Sequence, residues 1–408
     1  MKGLQAVKDA HPRLFLIADR CLVFFVLFPS VVAFWAGVWM FLDLHFYPEH
    51  VEWSAWCCVA AGAVILVFFN VVQYELTERF LEPGWKVRNV VIKRLYTLVA
   101  ACANVFLCRG FWMVQDYYSG VNVPSACFSL VFGTSLLICL RASCNGVASP
   151  LGTAFDEHRS FFIIQTRFRA PADKPLFLLL DSVFSVTVIG CLVIFEWRGI
   201  WVLLDLLLFP EDSTASLIIC LVFGYAICII IDILQDQAIA LSAYLESKNH
   251  WFLRLAFEDA YLLIAKLGVI AVWRGIWIFC ENYVADRNGP EQFLRVYINI
   301  VIGYVVPTLL LHGNSLFVLE VVLDGGMVEG AGCRVRVTML ENYLKLCARN
   351  FKAKKERALA NGSSLPGLII QRRSLRPDVE SAQVLLHNTK AECHFENRSF
   401  AFSEFLPP

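Results

Sequence analysis

Charged residues are scarce in this chain of 408 residues: 17% are Asp, Glu, Lys or Arg, whereas soluble proteins carry about a quarter. With 58% hydrophobic residues, this scarcity excludes an ordinary soluble domain. Lys and Arg equal Asp and Glu at 35 each, so net charge predicts no nucleic-acid partner. The sequence also lacks HExxH, GxSxG, phosphate-loop and paired-Cys metal motifs. We therefore expect no enzymatic activity, no catalytic residue, no cofactor and no metal site.

Long apolar runs fill most of the chain and predict an all-α membrane protein. Several runs approach the roughly 20 residues that a helix needs to cross a bilayer. Helices are expected because the backbone must satisfy its own hydrogen bonds in lipid. The eight predicted transmembrane helices are residues 20–42, 54–74, 94–115, 123–141, 180–206, 214–236, 256–280 and 294–322.

The distribution of Lys and Arg predicts the orientation. Cations concentrate before the first predicted helix, after the second and fourth, and in the C-terminal segment, while the other connections are short and poor in them. The positive-inside rule then places both termini in the cytoplasm and four tight hairpins outside. The predicted parts are a cytoplasmic N-terminus (1–19), two four-helix halves (20–165 and 166–330) and a basic cytoplasmic tail (331–408).

One motif occurs four times within the apolar runs. Its first residue is Trp, or Cys in one copy; a Trp follows four residues later, and a carboxylate follows that Trp by one helical turn. The copies are Trp35–Trp39 with Asp43, Cys108–Trp112 with Asp116, Trp197–Trp201 with Asp205, and Trp273–Trp277 with Glu281. Three copies carry Arg after their first residue, and the first carries Ala36 instead. Such recurrence is typical of a repeat protein.

The repeat has a second level. The first and third helix pairs match at an offset of 162 residues, and the second and fourth match at 165. The order is therefore A-B-A-B. Because each unit holds two helices, all units share one orientation, which predicts four parallel two-helix repeats with pseudo-symmetry about the membrane normal.

The charged residues of the motif allow two interpretations. Arg and carboxylate lie seven residues apart, which places them on one helix face about 10 Å apart. An Arg within the hydrocarbon needs a partner. In the structural interpretation, Arg109, Arg198 and Arg274 form ion pairs with Asp43, Asp116, Asp205 and Glu281. In the alternative, the same residues line the path of a solute or ion.

The tryptophans of the motif are predicted to form an aromatic belt at the outer membrane boundary, where amphipathic rings are enriched. The belt residues are Trp35, Trp39, Trp112, Trp197, Trp201, Trp273 and Trp277. Asp19 and Asp181, near the cytoplasmic ends of two predicted helices, are interpreted as helix starts.

The C-terminal segment is basic. From Arg334 to Arg376 it holds eleven Lys or Arg and two Glu, and residues 334–360 predict an amphipathic helix. Beside a membrane helix this composition favours anionic lipid. A solvated polar tail remains the alternative.

Over residues 10–330 the chain resembles the fuseless family of invertebrate membrane proteins. The resemblance rests on Trp197–Trp201, on Trp273–Trp277 and on the hairpin residues Pro210 and Glu211. It implies a presynaptic plasma-membrane protein that organises calcium channels and other active-zone proteins and supports synaptic transmission. The expected partners are those proteins and the lipid bilayer. The alternative function, from the residues alone, is a transporter or channel for a small anionic solute.

Overall fold

The computed structural model describes residues 8–80, 87–156, 161–284, 292–317 and 337–360, with 321, 324, 333 and 335 between them. Within this part of the chain the secondary structure is helical, and no strand extends beyond an isolated bridge. The helices there are α1 (Pro12–His45), α2 (Val51–Phe80), α3 (Val87–Ser119), α4 (Val123–Cys139), α5 (Pro175–Leu207), α6 (Ser213–Ser247), α7 (Trp251–Asn282), α8 (Gln292–Leu309) and α9 (Leu340–Ala360).

Six of these helices (α1, α2, α3, α5, α6 and α7) are long and apolar enough to cross a membrane. The multi-pass helical character predicted from the sequence is therefore confirmed. Helices α4 and α8 are also apolar but shorter, with apolar stretches of 10–17 residues. At 1.5 Å per residue, 17 residues span about 26 Å, close to the hydrocarbon thickness. Eight crossings thus stay a prediction.

Helix α8 ends at Leu309, well before the predicted boundary at 322. Leu311 adopts a left-handed conformation with φ 54°. The N–H of His312 then donates to the carbonyl oxygen of Pro307 at 2.8 Å, which is the terminating bond of a Schellman motif. The chain turns into the short 3₁₀ helix Gly313–Leu316. A second 3₁₀ helix, Ser143–Gly146, follows α4 in the same way.

The helices form an inner ring and a peripheral ring. The inner helices α1, α3, α5 and α7 contact one another in sequence, and α7 contacts α1. Each peripheral helix packs closely on one inner helix: α2 on α3, α4 on α5, α6 on α7 and α8 on α1. The closest pairs therefore join the second helix of one predicted repeat to the first helix of the next.

Glycines allow the close approach within these pairs. A Cβ on Gly62 of α2 would lie 2.5 Å from the backbone nitrogen of Leu107 on α3, so no larger residue fits without displacement. The same kind of contact occurs at both helices of every pair, as expected of small residues at helix interfaces in membranes. The eight glycines are Gly37 and Gly303, Gly62 and Gly110, Gly133 and Gly199, and Gly224 and Gly275.

Asp19 and Asp181 lie inside α1 and α5, so their interpretation as helix starts is wrong. The two helices begin at Pro12 and Pro175, because Pro suits the first turn, where its missing N–H costs nothing. Both carboxylates are 1% exposed. Asp19 accepts the N–H groups of Met339 and Leu340. Asp181 accepts those of residues 168 and 170, so each fastens a connecting segment to the bundle.

The first compact unit extends to Tyr343, and a second unit comprises Leu344–Pro408. The predicted tail boundary at 331 lies inside the first unit. Four residues beyond it are buried in the main hydrophobic core: Cys333, Val335, Val337 and Met339. A truncation that spares this core therefore begins at Leu344. The part of the tail after Ala360 lies outside the described residues.

Candidate functional site

All three Arg residues of the motif bind a carboxylate of the preceding inner helix. Arg198 on α5 donates from Nε to Oδ1 of Asp116 on α3 at 2.7 Å. The other two pairs repeat this arrangement: Arg109 with Asp43 at 2.8 Å, and Arg274 with Asp205 at 2.7 Å. We call each such contact a junction. The carboxylates lie toward the hairpin end of the bundle, where α1 joins α2, α3 joins α4 and α5 joins α6.

Each guanidinium also binds the peripheral helix that packs beside it. Nη1 of Arg198 donates to the hydroxyls of Ser125 and Ser129 on α4. Arg109 and Arg274 bind the peripheral helices α2 and α6 in the same way, each through one Ser and one Cys. On each peripheral helix these two residues lie eight and four residues before the packing glycine. They are Ser54 with Cys58, and Ser216 with Cys220.

The two charges of a junction differ in burial. The three Arg side chains are 0–6% exposed, whereas the Asp43, Asp116 and Asp205 side chains are 46%, 31% and 43% exposed. The guanidinium groups lie between the inner and peripheral rings, and the carboxylates lie at the rim. A buried cation is costly unless it is paired and hydrogen-bonded. Each junction supplies both conditions.

The fourth junction is built differently. The inner helix α1 has Ala36 where the others have Arg, and the carboxylate of this place is Glu281 on α7. Here the guanidinium comes from the peripheral helix: Nη1 of Arg295 on α8 donates to the backbone carbonyl of Glu281 at 2.7 Å. The indole of Trp277 donates to the Glu281 carboxylate at 2.7 Å. Thus a guanidinium binds the neighbouring inner helix at all four places, through a carboxylate at three of them and through a backbone carbonyl at the fourth.

Sequence reasoning missed Arg295, although a signal for it exists. Ser54, Ser125 and Ser216 lie eight residues before the packing glycines of α2, α4 and α6. Arg295 lies eight residues before Gly303 of α8. Aligning the peripheral helices on these glycines would have revealed an Arg in the repeat whose inner helix lacks one.

Four tryptophans close a ring on the axis of the inner helices. Trp39, Trp112, Trp201 and Trp277 come one from each inner helix, and every neighbouring pair packs edge to face. Their centroids lie 5.4–5.9 Å apart at interplanar angles of 88–90°, within the preferred range for aromatic pairs. We call this set the Trp ring. Its members face one another inside the bundle rather than lying on the lipid-facing surface.

A second, incomplete tier lies one helical turn from the Trp ring. Trp273 packs edge to face against Trp35 and Trp197 at 5.7 and 5.4 Å, and Cys108 takes the fourth place. The three indoles donate to backbone carbonyls of the connecting segments after α4 and α8. The acceptors are Leu316, Gly146 and Ser149. These bonds attach the connecting segments to the core of the inner ring.

A further ion pair, which sequence reasoning did not single out, lies deeper in the bundle. Lys266 of α7 donates to Glu196 of α5 at 2.6 Å, and both side chains are 0% exposed. Lys266 also donates to Ser143, and Thr134 donates to Glu196. Neither charge is repeated, because the matching positions are Ala101 and Phe34. The pair therefore distinguishes the α5–α7 contact from the others.

A continuous cavity of about 1250 Å³ runs through the inner ring. Its walls include both tryptophan tiers and three carboxylates, those of Asp116, Asp205 and Asp324. No Lys or Arg is among the described residues that line it, so the junction guanidiniums face away from it. No group of three or more His, Cys, Asp or Glu in the described part of the chain is arranged to hold a metal ion.

Comparison with protein families identifies the chain. The family model named Fuseless matches residues 14–317, which comprise helices α1 to α8 and both 3₁₀ segments. Comparison with curated proteins and with solved structures gives no match. The chain belongs to the Fuseless family.

Proposed function

We propose that this chain is a non-enzymatic, multi-pass plasma-membrane protein that organises presynaptic membrane proteins. Its partners are calcium channels and active-zone proteins, and its process is synaptic transmission. Family membership and the long apolar helices support this function. In the same proposal the bundle crosses the membrane eight times and both termini are cytoplasmic, in agreement with the distribution of Lys and Arg.

The main observation behind the proposal is that the charges of the junctions are paired with one another within the bundle. Arg109, Arg198 and Arg274 each bind a carboxylate and the neighbouring peripheral helix. Such contacts fix the register of the helices rather than leave cations free for a solute. A bundle held in this way suits a platform, with partner contacts made by its exposed segments.

The segment proposed to make those contacts begins at Leu344. From there to Ala360 the chain is helical and carries six Lys or Arg against one Glu. A basic amphipathic helix of this kind binds anionic lipid at the cytoplasmic leaflet. We propose that it holds the tail at the presynaptic membrane, within reach of the channels.

Rescue of neurons that lack the endogenous protein tests this function. Full-length protein is expected to restore calcium-channel clusters and evoked release. A chain that ends at Tyr343 keeps the compact unit and is expected to reach the plasma membrane without restoring either. Full rescue by that chain would exclude the tail as the contact, and no rescue by the full-length protein would exclude the function.

A matched pair of variants separates the effect of the positive charges from the effect of changing the side chains. Changing Lys352, Lys354 and Lys355 to Gln removes three positive charges, whereas changing the same residues to Arg keeps them. If anionic lipid holds the tail, the Gln variant loses binding to vesicles containing phosphatidylserine and the Arg variant does not. Equal binding by the two variants would contradict the lipid contact.

The second candidate is a transporter or channel for a small anionic solute, which the cavity of about 1250 Å³ favours. The cavity wall argues against anions, because it carries carboxylates and none of the three junction Arg residues. Anion flux in liposomes decides between the candidates. Saturable flux by the wild-type protein would support transport, and no flux under any condition would favour the platform.

A further inference from the structure

The two halves of the bundle differ at one pair of contacts that the repeat relates to each other. Aromatic side chains fill the first of these contacts. At the contact of α6, α7 and α1, the ring of Phe28 packs against Trp273 at 6.0 Å and against Tyr225 at 6.4 Å. The hydroxyl of Tyr225 also donates to the carbonyl of Phe24. Phe24 and Phe28 are at most 3% exposed. Aromatic side chains therefore occupy this contact.

The matching contact of α2, α3 and α5 has small residues instead. Offsets of 162 and 165 residues relate the two places. Phe28 corresponds to Gly190, Tyr225 to Ala63, and Trp273 to Cys108. At the matching positions the three aromatic side chains are thus replaced by small ones. We call the space that remains, which belongs to the continuous cavity, the chamber.

Gly190 is not a close helix contact, because a Cβ at this position would make only ordinary van der Waals contacts. A Cβ on Gly190 would meet its nearest atoms, the carbonyl oxygen of Ser185 and a methyl group of Leu107, at 3.8 and 3.9 Å. At the eight packing glycines the corresponding distance is at most 2.8 Å. Close helix packing therefore does not require a glycine at position 190.

The chamber wall is apolar with two carboxamides. Its apolar residues come from α2, α3 and α5: Leu66, Leu107, Val186, Ile189, Val193 and Ile194. Asn70 and Asn104 also line the cavity. Asn70 is 3% exposed, and its Oδ1 has no hydrogen-bond partner among the described residues. A buried carboxamide oxygen without a donor is costly, and a ligand hydroxyl would satisfy it.

We propose that the chamber binds a membrane sterol, with the hydrocarbon rings between α2, α3 and α5 and the hydroxyl donating to Asn70. An anionic lipid is disfavoured, since no Lys or Arg is among the described residues that line the cavity. The whole cavity, of which the chamber is one part, has a volume of about 1250 Å³, and pockets for drug-sized ligands usually have about 300–1,000 Å³. Among neutral lipids with a hydroxyl, a rigid sterol loses less conformational entropy on binding than diacylglycerol with its flexible chains.

Photolabelling of the full-length protein tests the site. The protein is placed in phosphatidylcholine nanodiscs with a diazirine-bearing cholesterol analogue, irradiated and mapped by peptide mass spectrometry. We expect saturable adducts on α2, α3 and α5 that excess cholesterol abolishes and diacylglycerol does not. Equal labelling of the filled contact, or competition by diacylglycerol instead of cholesterol, would overturn the proposal.

Two substitutions and one control test the residues. Gly190→Phe copies Phe28 into the chamber and is expected to lower the adduct by about tenfold or more. Val188→Phe adds the same ring on an exposed face of α5 and should leave the adduct unchanged. Undiminished labelling of folded Gly190→Phe would refute the site. Should that variant not fold, Asn70→Leu decides: the adduct falls about threefold if the hydroxyl binds there, and unchanged labelling rejects the proposal.

Discussion

Three junctions of the bundle take their guanidinium from an inner helix, and the fourth takes it from a peripheral helix. Arg109, Arg198 and Arg274 point outward from the inner ring to a Ser at the peripheral helix. At the fourth place Ala36 leaves room on the inner helix, and Arg295 replaces that Ser. The location of the charge is kept while its helix of origin changes.

This difference indicates what each junction requires. A positive group must lie between the rings near the hairpin end, because a rim carboxylate faces it from the neighbouring inner helix. Which helix supplies that group is secondary. The fourth junction should nevertheless be weaker, since the hydrogen bond from Arg295 goes to the backbone carbonyl of Glu281. The other three guanidiniums bind a carboxylate directly.

The largest effect is expected at Arg198, whose side chain is 0% exposed and binds Asp116, two Ser hydroxyls and the carbonyl of Gly120. Arg198→Ala removes the charge and leaves these acceptors unsatisfied, at a cost of about 3–5 kcal/mol of unfolding free energy. Unfolding in detergent, followed by tryptophan fluorescence, measures this cost. Arg295→Ala is the matched comparison, and an equal loss there would remove the distinction between the junctions.

The next effect concerns the exchange at the fourth junction. Arg295→Ser is expected to cost about 2 kcal/mol, because a buried hydrogen bond from a charged donor is lost. Adding Ala36→Arg to that variant restores the arrangement of the other three junctions and should recover most of the loss. A double-mutant cycle measures this coupling. If the two substitutions are additive, the places are not interchangeable.

A smaller effect is expected at Trp277, which joins the fourth junction to the Trp ring. Trp277→Phe keeps a ring against Trp39 and Trp201 but removes the indole N–H that binds the Glu281 carboxylate. We expect a loss of about 1–2 kcal/mol, and a larger loss in the Arg295→Ser background, since both groups hold Glu281. Identical losses in the two backgrounds would show that the contacts are independent.

The recurrent motif made part of this site predictable. Its spacing places an Arg and a carboxylate on one face of each helix, and the need of a membrane Arg for a partner points to neighbouring carboxylates. The choice of neighbour could not be predicted, because it depends on how the inner helices are packed. For the same reason the predicted hairpin units differ from the closest pairs, such as α2 with α3.

Features that break the repeat were the ones missed. Lys266 and Glu196 have no counterparts at the matching positions, so comparison of the repeats gave them no weight. Arg295 lies where the other peripheral helices carry a Ser, so the recurrent motif does not include it. The polar character of Asp19 and Asp181 suggests helix starts, but Pro12 and Pro175 carry the stronger signal and begin the two helices.

The smallest effect on stability is expected from substitutions at the position four residues before the packing glycine of a peripheral helix. This place holds Cys58, Ser129 and Cys220 at the three regular junctions, and each binds the neighbouring guanidinium. Ser129→Cys should therefore change the free energy of unfolding by less than about 1 kcal/mol, since a weaker acceptor replaces a stronger one without leaving the site. Ser129→Val, which offers no acceptor, should cost more. Equal losses for Cys and Val would mean that the guanidinium gains nothing from this position, and the regular junctions would then rest on the carboxylate and the Ser one turn away.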